Sequence, residues 1–488
     1  MRMWIRLVAS CIIFATAWAF ENGGEWENLH YKRVVDLSKS YTKESINIVA
    51  RNEGQNPTDE YTFTVNDGFG AFGEVSVISF VLMDHGGVAL ESLQEAPKVY
   101  KLKLPYPVAP NNEINIKVQY AYRGANSPFP SELSMSDVQT LLVRLNKFAY
   151  SPYTTKDYSL LFTGVSKGQE MELNFVNKDE LTPDLPSVKP RVEEKALVYG
   201  PLDFDLEPFT IKPMGLLYDH NRPLSRAVNL NRSVWIPASE VAKLPVEESY
   251  DLVNDAAELN TGFLRLDWMK GRYDTTRNHW AISHLDIPLK ANGMFHDFYY
   301  TDLVGVVSTF NFVQDHLLLQ PRFPLFGGWH FNFTLGWNYA ISDFVHQVNN
   351  EPETYILRIP LVNSVRDITY DNVYLSFYLP ENAEFLNVSS PIDFELLTVT
   401  NEHSYLDVAK GHVKVTLHYK NLFDDVHNLD ALIMYRSTSI GYMRRILKVA
   451  GWIFISLLSY YFLSLLNFSI ESKKPKQVDE NETEEKSK

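Results

Sequence analysis

Apolar and polar residues alternate with period two along most of residues 20–440. Residues 113–120, 372–379 and 412–419 alternate without a break, and 44–49 and 98–104 read similarly. Such alternation puts one set of side chains on a buried face and the other in water, so each segment predicts a strand. Turn-forming clusters such as Arg51-Asn-Glu-Gly-Gln-Asn-Pro57 separate them. Helical signals are few. Residues 134–142 predict a short helix capped by Ser134 or Ser136, and residues 255–270 a longer one ending at Gly271. Regular strand–helix alternation is absent, which argues against a doubly wound α/β fold. The pattern predicts a mainly β protein, with two tandem β-sandwich-like domains and a few helices. In each half a strand ends in Leu-Pro (Leu104-Pro105 and Leu379-Pro380), and a clean alternating strand ending in an aromatic follows. The acidic, Pro-punctuated stretch 177–213 reads as the join, dividing residues 20–215 from residues 216–440.

Two segments are apolar throughout. At the start, Arg2 and Arg6 precede the apolar run 7–16, and Ala17-Trp18-Ala19 is an A-x-A site. Residues 1–19 therefore predict a signal peptide, with the mature chain beginning at Phe20. Near the end, the 22 residues 449–470 carry no charge. As a helix they reach roughly 33 Å, enough to cross a hydrocarbon core. Arg444, Arg445 and Lys448 precede this span and Lys473, Lys474 and Lys476 follow it, so basic residues do not decide its orientation. The signal peptide does: the bulk of the chain is expected in the lumen, and the polar tail 471–488, expected to be disordered, in the cytosol. Within the span Ser456, Tyr460, Ser464 and Asn467 share one helix face, a candidate stripe for packing against other membrane helices. The other reading is that the hydroxyls bond back to their own helix.

The only cysteine, Cys11, lies in the signal peptide, so packed cores rather than disulfides must hold the mature chain together. The formal charge of −15 becomes about −17 once Arg2 and Arg6 are removed, which disfavours nucleic acid as a partner. Asn231-Arg-Ser, Asn332-Phe-Thr and Asn387-Val-Ser are N-glycosylation sequons in the lumenal part. Asn467-Phe-Ser in the span and Asn481-Glu-Thr in the tail are not expected to be modified. Around Asn332 the apolar set Phe331, Phe333, Leu335 and Trp337 alternates, which predicts Asn332 and Thr334 on a wet face.

Motifs that could carry chemistry fail on context. Gly164-Val-Ser-Lys-Gly168 fits a nucleophile elbow built on Ser166, and His85-Gly86-Gly87 an oxyanion loop. An elbow joins a strand to a helix. Here alternation resumes at Met171, Leu173 and Phe175, so a hairpin explains both glycines better. Asp203-Phe-Asp205 resembles a cation-holding pair, but Pro201 and Pro208 frame it as a solvated loop. His279 with His284, and His412 with His418, match no metal-ligand spacing. No catalytic, cofactor-binding or metal-binding residue is assigned, and no cofactor is expected. The reading is a large binding or scaffolding part on one span. Alternatives are an ER cargo receptor or chaperone, and, less favoured, a lumenal serine hydrolase using Ser166.

Tyr300-Thr-Asp-Leu-Val-Gly305 followed by Pro321-Arg-Phe-Pro-Leu-Phe-Gly-Gly-Trp329 resembles the signature region of the ribophorin I family. Trp26-Glu-Asn-Leu-His-Tyr-Lys-Arg33 resembles its start, and Tyr370-Asp-Asn-Val373 and Tyr405-Leu-Asp-Val-Ala-Lys-Gly-His-Val413 its later part, with order and spacing kept. The chain departs at Phe129-Pro-Ser-Glu-Leu-Ser-Met-Ser136, where Glu132 stands in place of the family's usual histidine, and its C-terminus lacks a dilysine pattern. The resemblance implies a non-catalytic accessory subunit of the oligosaccharyltransferase complex in the ER membrane. It implies a catalytic multi-spanning subunit and other subunits as partners, along with membrane lipid, nascent polypeptide and the translocation machinery.

Overall fold

A computed structural model describes residues 26–466 except 85, 166, 174–180, 183–184, 194–195, 239–242, 275–278, 290–294, 350, 364 and 404–410. The first half contains β1 (Trp26–Asp36), β2 (Thr42–Asn52), β3 (Thr58–Thr64), β4 (Val75–Leu82), β5 (Val88–Ala89), β6 (Glu91–Ala96), β7 (Val99–Val108) and β8 (Glu113–Tyr122). It continues with β9 (Asn126–Pro128), β10 (Glu132–Leu133), β11 (Thr140–Asn146), β12 (Thr155–Thr163), β13 (Gly168–Met171), β14 (Arg191–Glu193), β15 (Ala196–Tyr199) and β16 (Pro213–Asp219). The second half contains β17 (Ser225–Trp235), β18 (Lys243–Asn254), β19 (Glu258–Leu259), helix α1 (Arg265–Asp274), β20 (Leu285–Pro288), β21 (His296–Asp302), β22 (Gly305–Val306), β23 (Phe310–Val313) and β24 (His316–Leu319). Then come β25 (His330–Ala340), β26 (Val345–Val348), β27 (Glu351–Pro360), β28 (Ile368–Tyr378), β29 (Glu384–Ser389), β30 (Leu396–Glu402), β31 (His412–Phe423), β32 (Asp430–Arg436) and the terminal helix α2 (Ser439–Leu465).

The chain is mainly β, and the two halves share one strand plan. The large sheet of the first half has the order β14-β15-β12-β1-β2-β8-β4-β5, and that of the second β30-β31-β28-β17-β18-β25-β21-β22. Each half adds a four-stranded sheet, β13-β16-β11-β9 or β29-β32-β27-β26, and a three-stranded one, β3-β7-β6 or β20-β24-β23. Among the described strands, β10 and β19 alone lack a counterpart, and they pair with each other in parallel across the halves. At each centre one parallel pair, β1·β12 or β17·β28, is flanked by antiparallel neighbours.

The likeness extends to side chains. β1 is bulged between Asn28 and His30, and β17 between Ala227 and Asn229. At the same spacing beyond the bulge each strand turns an arginine inward, Arg33 or Arg232, and each pairs with a buried glutamate of the next strand, Glu44 or Glu248. β2 and β18 both end in a buried asparagine. Asn52 Nδ2 donates to the carbonyls of Asn56 and Val108, and its Oδ1 accepts from Gly54 N–H. Asn254 Nδ2 donates to the carbonyls of Trp280 and Leu325, and its Oδ1 accepts from Ala256 N–H. A buried amide that satisfies loop carbonyls on one side and an Asx turn on the other fixes the strand exit.

The large sheets turn alternate residues inward. Ile46, Ile48, Val118 and Leu160 anchor one core, and Leu230, Val373, Leu375 and Leu417 the other. Fully burying side chains of this size stabilises by roughly 1.5–3 kcal/mol each, so two such cores suffice without a disulfide.

Four local expectations need correction. Residues 134–142 form no helix: Asp137 accepts from the N–H and hydroxyl of Ser134, closing a single turn, and Leu141, Val143 and Leu145 then alternate inward along β11. The longer helix begins only at Arg265 and runs through Gly271. Residues 257–260 stay out of the helix because the N–H groups of Ala257, Glu258 and Asn260 bond across to the first half. β12 and β13 are not a hairpin, since they belong to different sheets. The Leu-Pro marks are not equivalent: β7 continues through Leu104-Pro105, whereas β28 stops before Leu379.

Candidate functional site

The signature region folds into the seam between the halves. Phe326 is buried in the first core and Leu325 in the second, and Trp329 packs against both. Gly327 sits where a Cβ would lie 2.2 Å from the carbonyl oxygens of Ala256 and Ala257, so only glycine lets the two backbones approach. Around it Ala257 N–H donates to Gln139 Oε1 (2.8 Å), Glu258 N–H to Ser131 O (2.8 Å), and Trp280 Nε1 to Asp137 O (3.3 Å). Upstream in the signature, Asp302 accepts from the N–H groups of Val304 and Gly305 and from Arg322 Nε. Burial alone would push the Asp302 carboxyl up. The guanidinium and the two N–H groups outweigh it and hold the carboxyl below the usual range. Arg322 thereby pins the exposed 303–306 tip to the sheet.

A polar latch joins the halves elsewhere. Lys39 Nζ lies 2.9 Å from carboxylate oxygens of both Asp424 and Asp425, Lys43 pairs with Asp425, and Tyr41 OH donates to Asp424 (2.5 Å). Ser40 N–H donates to Asp367 (2.6 Å). Burial opposes charge on Asp425, but hydrogen bonds from Lys43 and Lys39 win and hold its carboxyl at about 2. Beside the latch is a cleft of about 600 Å³. Its charges neutralise one another: Asp371 is ion-paired with Arg123 and accepts from Arg226 Nη1, and Arg226 also grips Asp255.

The residues singled out for chemistry do not converge. Ser166 and His85 lie outside the described residues. Gly164 has φ +79°, and a Cβ there would lie 2.7 Å from Ser38 N, so close packing accounts for this glycine. Asp203 and Asp205 are exposed, while Phe204 packs on Phe148 and Leu206 is buried. His279 Nε2 donates to Met135 O (3.0 Å), and burial pushes its pKa down. His284 contacts Ser283, His412 bonds to Leu379 O, and His418 stacks on Tyr374 and contacts Asn372. Among the described residues no three His, Cys, Asp or Glu side chains come together as a metal-binding group. Glu132 lies exposed on β10, the strand that bridges the halves.

Asn231 and Asn332 are exposed on the outer face of the second large sheet, Asn231 opposite Ser249 and Tyr374, Asn332 opposite Asp251. Asn387 is exposed on β29 beside a bulge at the sheet edge. Residues 446–465 of α2 form a helix long and apolar enough to cross a membrane, with none of it buried by the rest of the chain. Ser456 and Tyr460 are exposed on it, whereas Ser464 Oγ donates back to Tyr461 O (2.7 Å); Asn467 lies outside the described residues. The buried Arg–Glu pairs were missed from sequence. Their signal was a charge at the inward phase of an apolar alternation, Tyr31-x-Arg33-x-Val35 and Leu230-x-Arg232-x-Val234.

The class is a large, twice-repeated β protein that ends in a helix which, alone among the described residues, is long and apolar enough to cross a membrane. The chain belongs to the ribophorin I family, whose profile matches residues 26–464. A Schizosaccharomyces pombe protein named dolichyl-diphosphooligosaccharide–protein glycosyltransferase subunit 1 is 27% identical over 444 residues, covering 90% of this chain and 95% of its own. The Caenorhabditis elegans protein of the same name is 25% identical, covering 93% and 75%. An Arabidopsis thaliana protein named subunit 1A of that glycosyltransferase is 24% identical, covering 79% and 59%.

Proposed function

We propose that the chain is an accessory subunit of the oligosaccharyltransferase complex of the ER membrane, which transfers a preassembled glycan from dolichyl diphosphate to Asn in Asn-x-Ser/Thr of nascent proteins. The observation that carries this reading is the family match over residues 26–464, together with relatives named as subunit 1 of that glycosyltransferase. Catalysis then belongs to a multi-spanning partner subunit. In favour of an accessory role, His279, His284, His412, His418 and the Asp203–Asp205 pair serve ordinary packing and surface positions. In this reading residues 20–440 are lumenal, the tail is cytosolic, Asn231, Asn332 and Asn387 carry glycans, and Ser456, Tyr460, Ser464 and Asn467 meet partner helices in lipid.

Detergent pull-down of the full chain tests it. The expected result is a multi-subunit assembly with glycan-transfer activity. Recovery as a free monomer sinks the proposal. Labelling of Ser166 by a serine-reactive probe would point to a hydrolase, and stoichiometric cargo without other subunits to a receptor or chaperone. Replacing Ser456, Ser464 and Asn467 by leucine is expected to leave membrane insertion intact and to weaken assembly; unchanged co-purification would show the stripe to be incidental.

A further inference from the structure

The outer face of the second large sheet sets one of the three sequons beside an aromatic ring. Asn231 is exposed in the middle of β17, with Leu230 and Arg232 turned inward on either side of it. Its parallel neighbour on β28 is Tyr374, and the next residue across, on β31, is His418. All three lie on the outer face, since the residues that flank each of them are buried. The Tyr374 and His418 rings stack with centroids 4.5 Å apart and planes within 4° of parallel. That separation is close to the spacing of neighbouring strands, so the two rings stand upright and face each other across the strand gap. His418 therefore covers one face of the phenol, and the other face turns towards β17 and Asn231. The platform is held from behind. His418 Nδ1 lies 3.2 Å from a Glu395 carboxylate oxygen, and its Nε2 lies 3.2 Å from Asn372 Oδ1. The other two sequons are placed differently: Asn332 has Asp251 beside it, and Asn387 lies at a bulge. The first half gives a further comparison. Counting from the matched arginines, Lys32 stands where Asn231 does, and its partner on β12 is Ser159. Sequon and ring occur together in one half, and both are missing from the same place in the other.

Resting on the reading that residues 20–440 are lumenal and that Asn231 carries a glycan, we propose that the Tyr374–His418 pair is a docking platform for the first sugar of that glycan. In an N-glycan this sugar is a β-linked N-acetylglucosamine, one face of which carries only axial C–H bonds. The face of an aromatic ring is electron-rich, and such C–H bonds settle on it. The sugar begins one amide beyond Cβ and the phenol ring one carbon beyond it, so above directly paired residues the two stand at similar heights. On the other side of Asn231 is Ser249, a short side chain bonded to Thr334 (3.0 Å). A sugar leaning that way covers no ring. Leaning on Tyr374, it takes apolar surface of both partners out of water. The glycan then fastens the parallel pair β17·β28 at the centre of the sheet.

A double-mutant cycle on the full detergent-extracted chain tests this, read by hydrogen exchange along β17 and β28. Asn231→Gln is expected to lower protection about threefold in the parent and to leave it unchanged once Tyr374→Thr is present, as coupled neighbours do. Tyr374→Phe keeps the glycan's effect, because the sugar uses the ring face and not the hydroxyl. Asn332→Gln is expected to act alike in both backgrounds. A second arm needs no substitution at Tyr374: trimming the glycans to their first sugar with an endoglycosidase is expected to keep the protection of the untrimmed chain. Docking is overturned if Asn231 carries a glycan whose loss has the same effect with and without the ring. It is equally overturned if trimming to the first sugar drops protection to the level of Asn231→Gln. Glycopeptide mass separates the two failures: an unmodified Asn231 in the parent chain overturns the glycan reading along with the docking.

Discussion

The two halves bury the same kind of charge in the same place and satisfy it differently. In the first, Arg33 meets Glu44 through two hydrogen bonds of 2.8 and 2.6 Å and also donates to Asn146 O, while Tyr120 and Tyr122 donate to the same carboxylate. In the second, Arg232 donates to Glu248 through Nη1 alone, with Tyr250 as the carboxylate's other donor and the Trp337 ring 6.0 Å from the guanidinium. The glutamate has moved by one pleat: Arg232 faces Glu248 directly, whereas Glu44 lies opposite Val35 rather than Arg33. One strand plan thus tolerates two solutions to a buried ion, as long as both charges stay paired. Removing one partner exposes the difference, because an ion left alone in a core costs far more than the pair gains.

The largest expected effect follows from that contrast. Arg33→Met leaves Glu44 buried without its cation and is expected to cost about 3–5 kcal/mol. Arg232→Met leaves Glu248 just as buried and with Tyr250 as its remaining donor, so it is expected to fall at the upper end of the same range, about 3–5 kcal/mol. Hydrogen exchange along β1 and β17 in the two variants measures both: Arg33→Met is expected to lose less, because Tyr120 and Tyr122 still donate to Glu44, and equal losses would show that those donors contribute nothing. Next comes the seam. Gly327→Ala overpacks against two backbone carbonyls and is expected to cost about 1–3 kcal/mol, with protease sensitivity appearing first at 255–264 rather than within either large sheet.

The latch is smaller. Lys39→Ala is expected to weaken the joint by about 0.5–1 kcal/mol, since Asp425 is partly exposed and its pairs are screened. The pH dependence has a definite sign. A carboxyl lowered to about 2 stabilises above its unfolded value of 3.8, and that contribution fades as pH falls from about 4 towards 2. Burial raises the Asp367 carboxyl and acts in the opposite sense, so the difference between parent and Lys39→Ala, followed by acid titration of tryptophan fluorescence, isolates the latch. Smallest of all, Asn332→Gln and Asn387→Gln are each expected to leave stability within about 0.5 kcal/mol, as surface changes do, while removing one glycan's electrophoretic shift. A variant without a shift marks an unoccupied sequon.

Local pattern was enough for the β class, for the core strands and for the terminal apolar helix. A pleat has period two, and an uninterrupted apolar run of helical length has few alternatives. Sequence also placed the signature segments, although not their purpose: Phe326, Gly327 and Trp329 act across a seam that has no local period. The duplication was glimpsed through the wrong marks. Leu104-Pro105 and Leu379-Pro380 do not correspond, whereas Arg33 with Arg232 and Asn52 with Asn254 do, and only the strand order aligns them. The expected helix at 134–142 lost to a local Ser134–Asp137 turn and to the pairing of β11, and the first part of the one expected at 255–270 lost to long-range bonds, because the N–H groups of Ala257, Glu258 and Asn260 tie one half to the other. Side-chain period and apolar length are properties of neighbouring residues and can be read from sequence; pairing and burial of charge are set by residues distant in the chain, and the tertiary structure alone decided them.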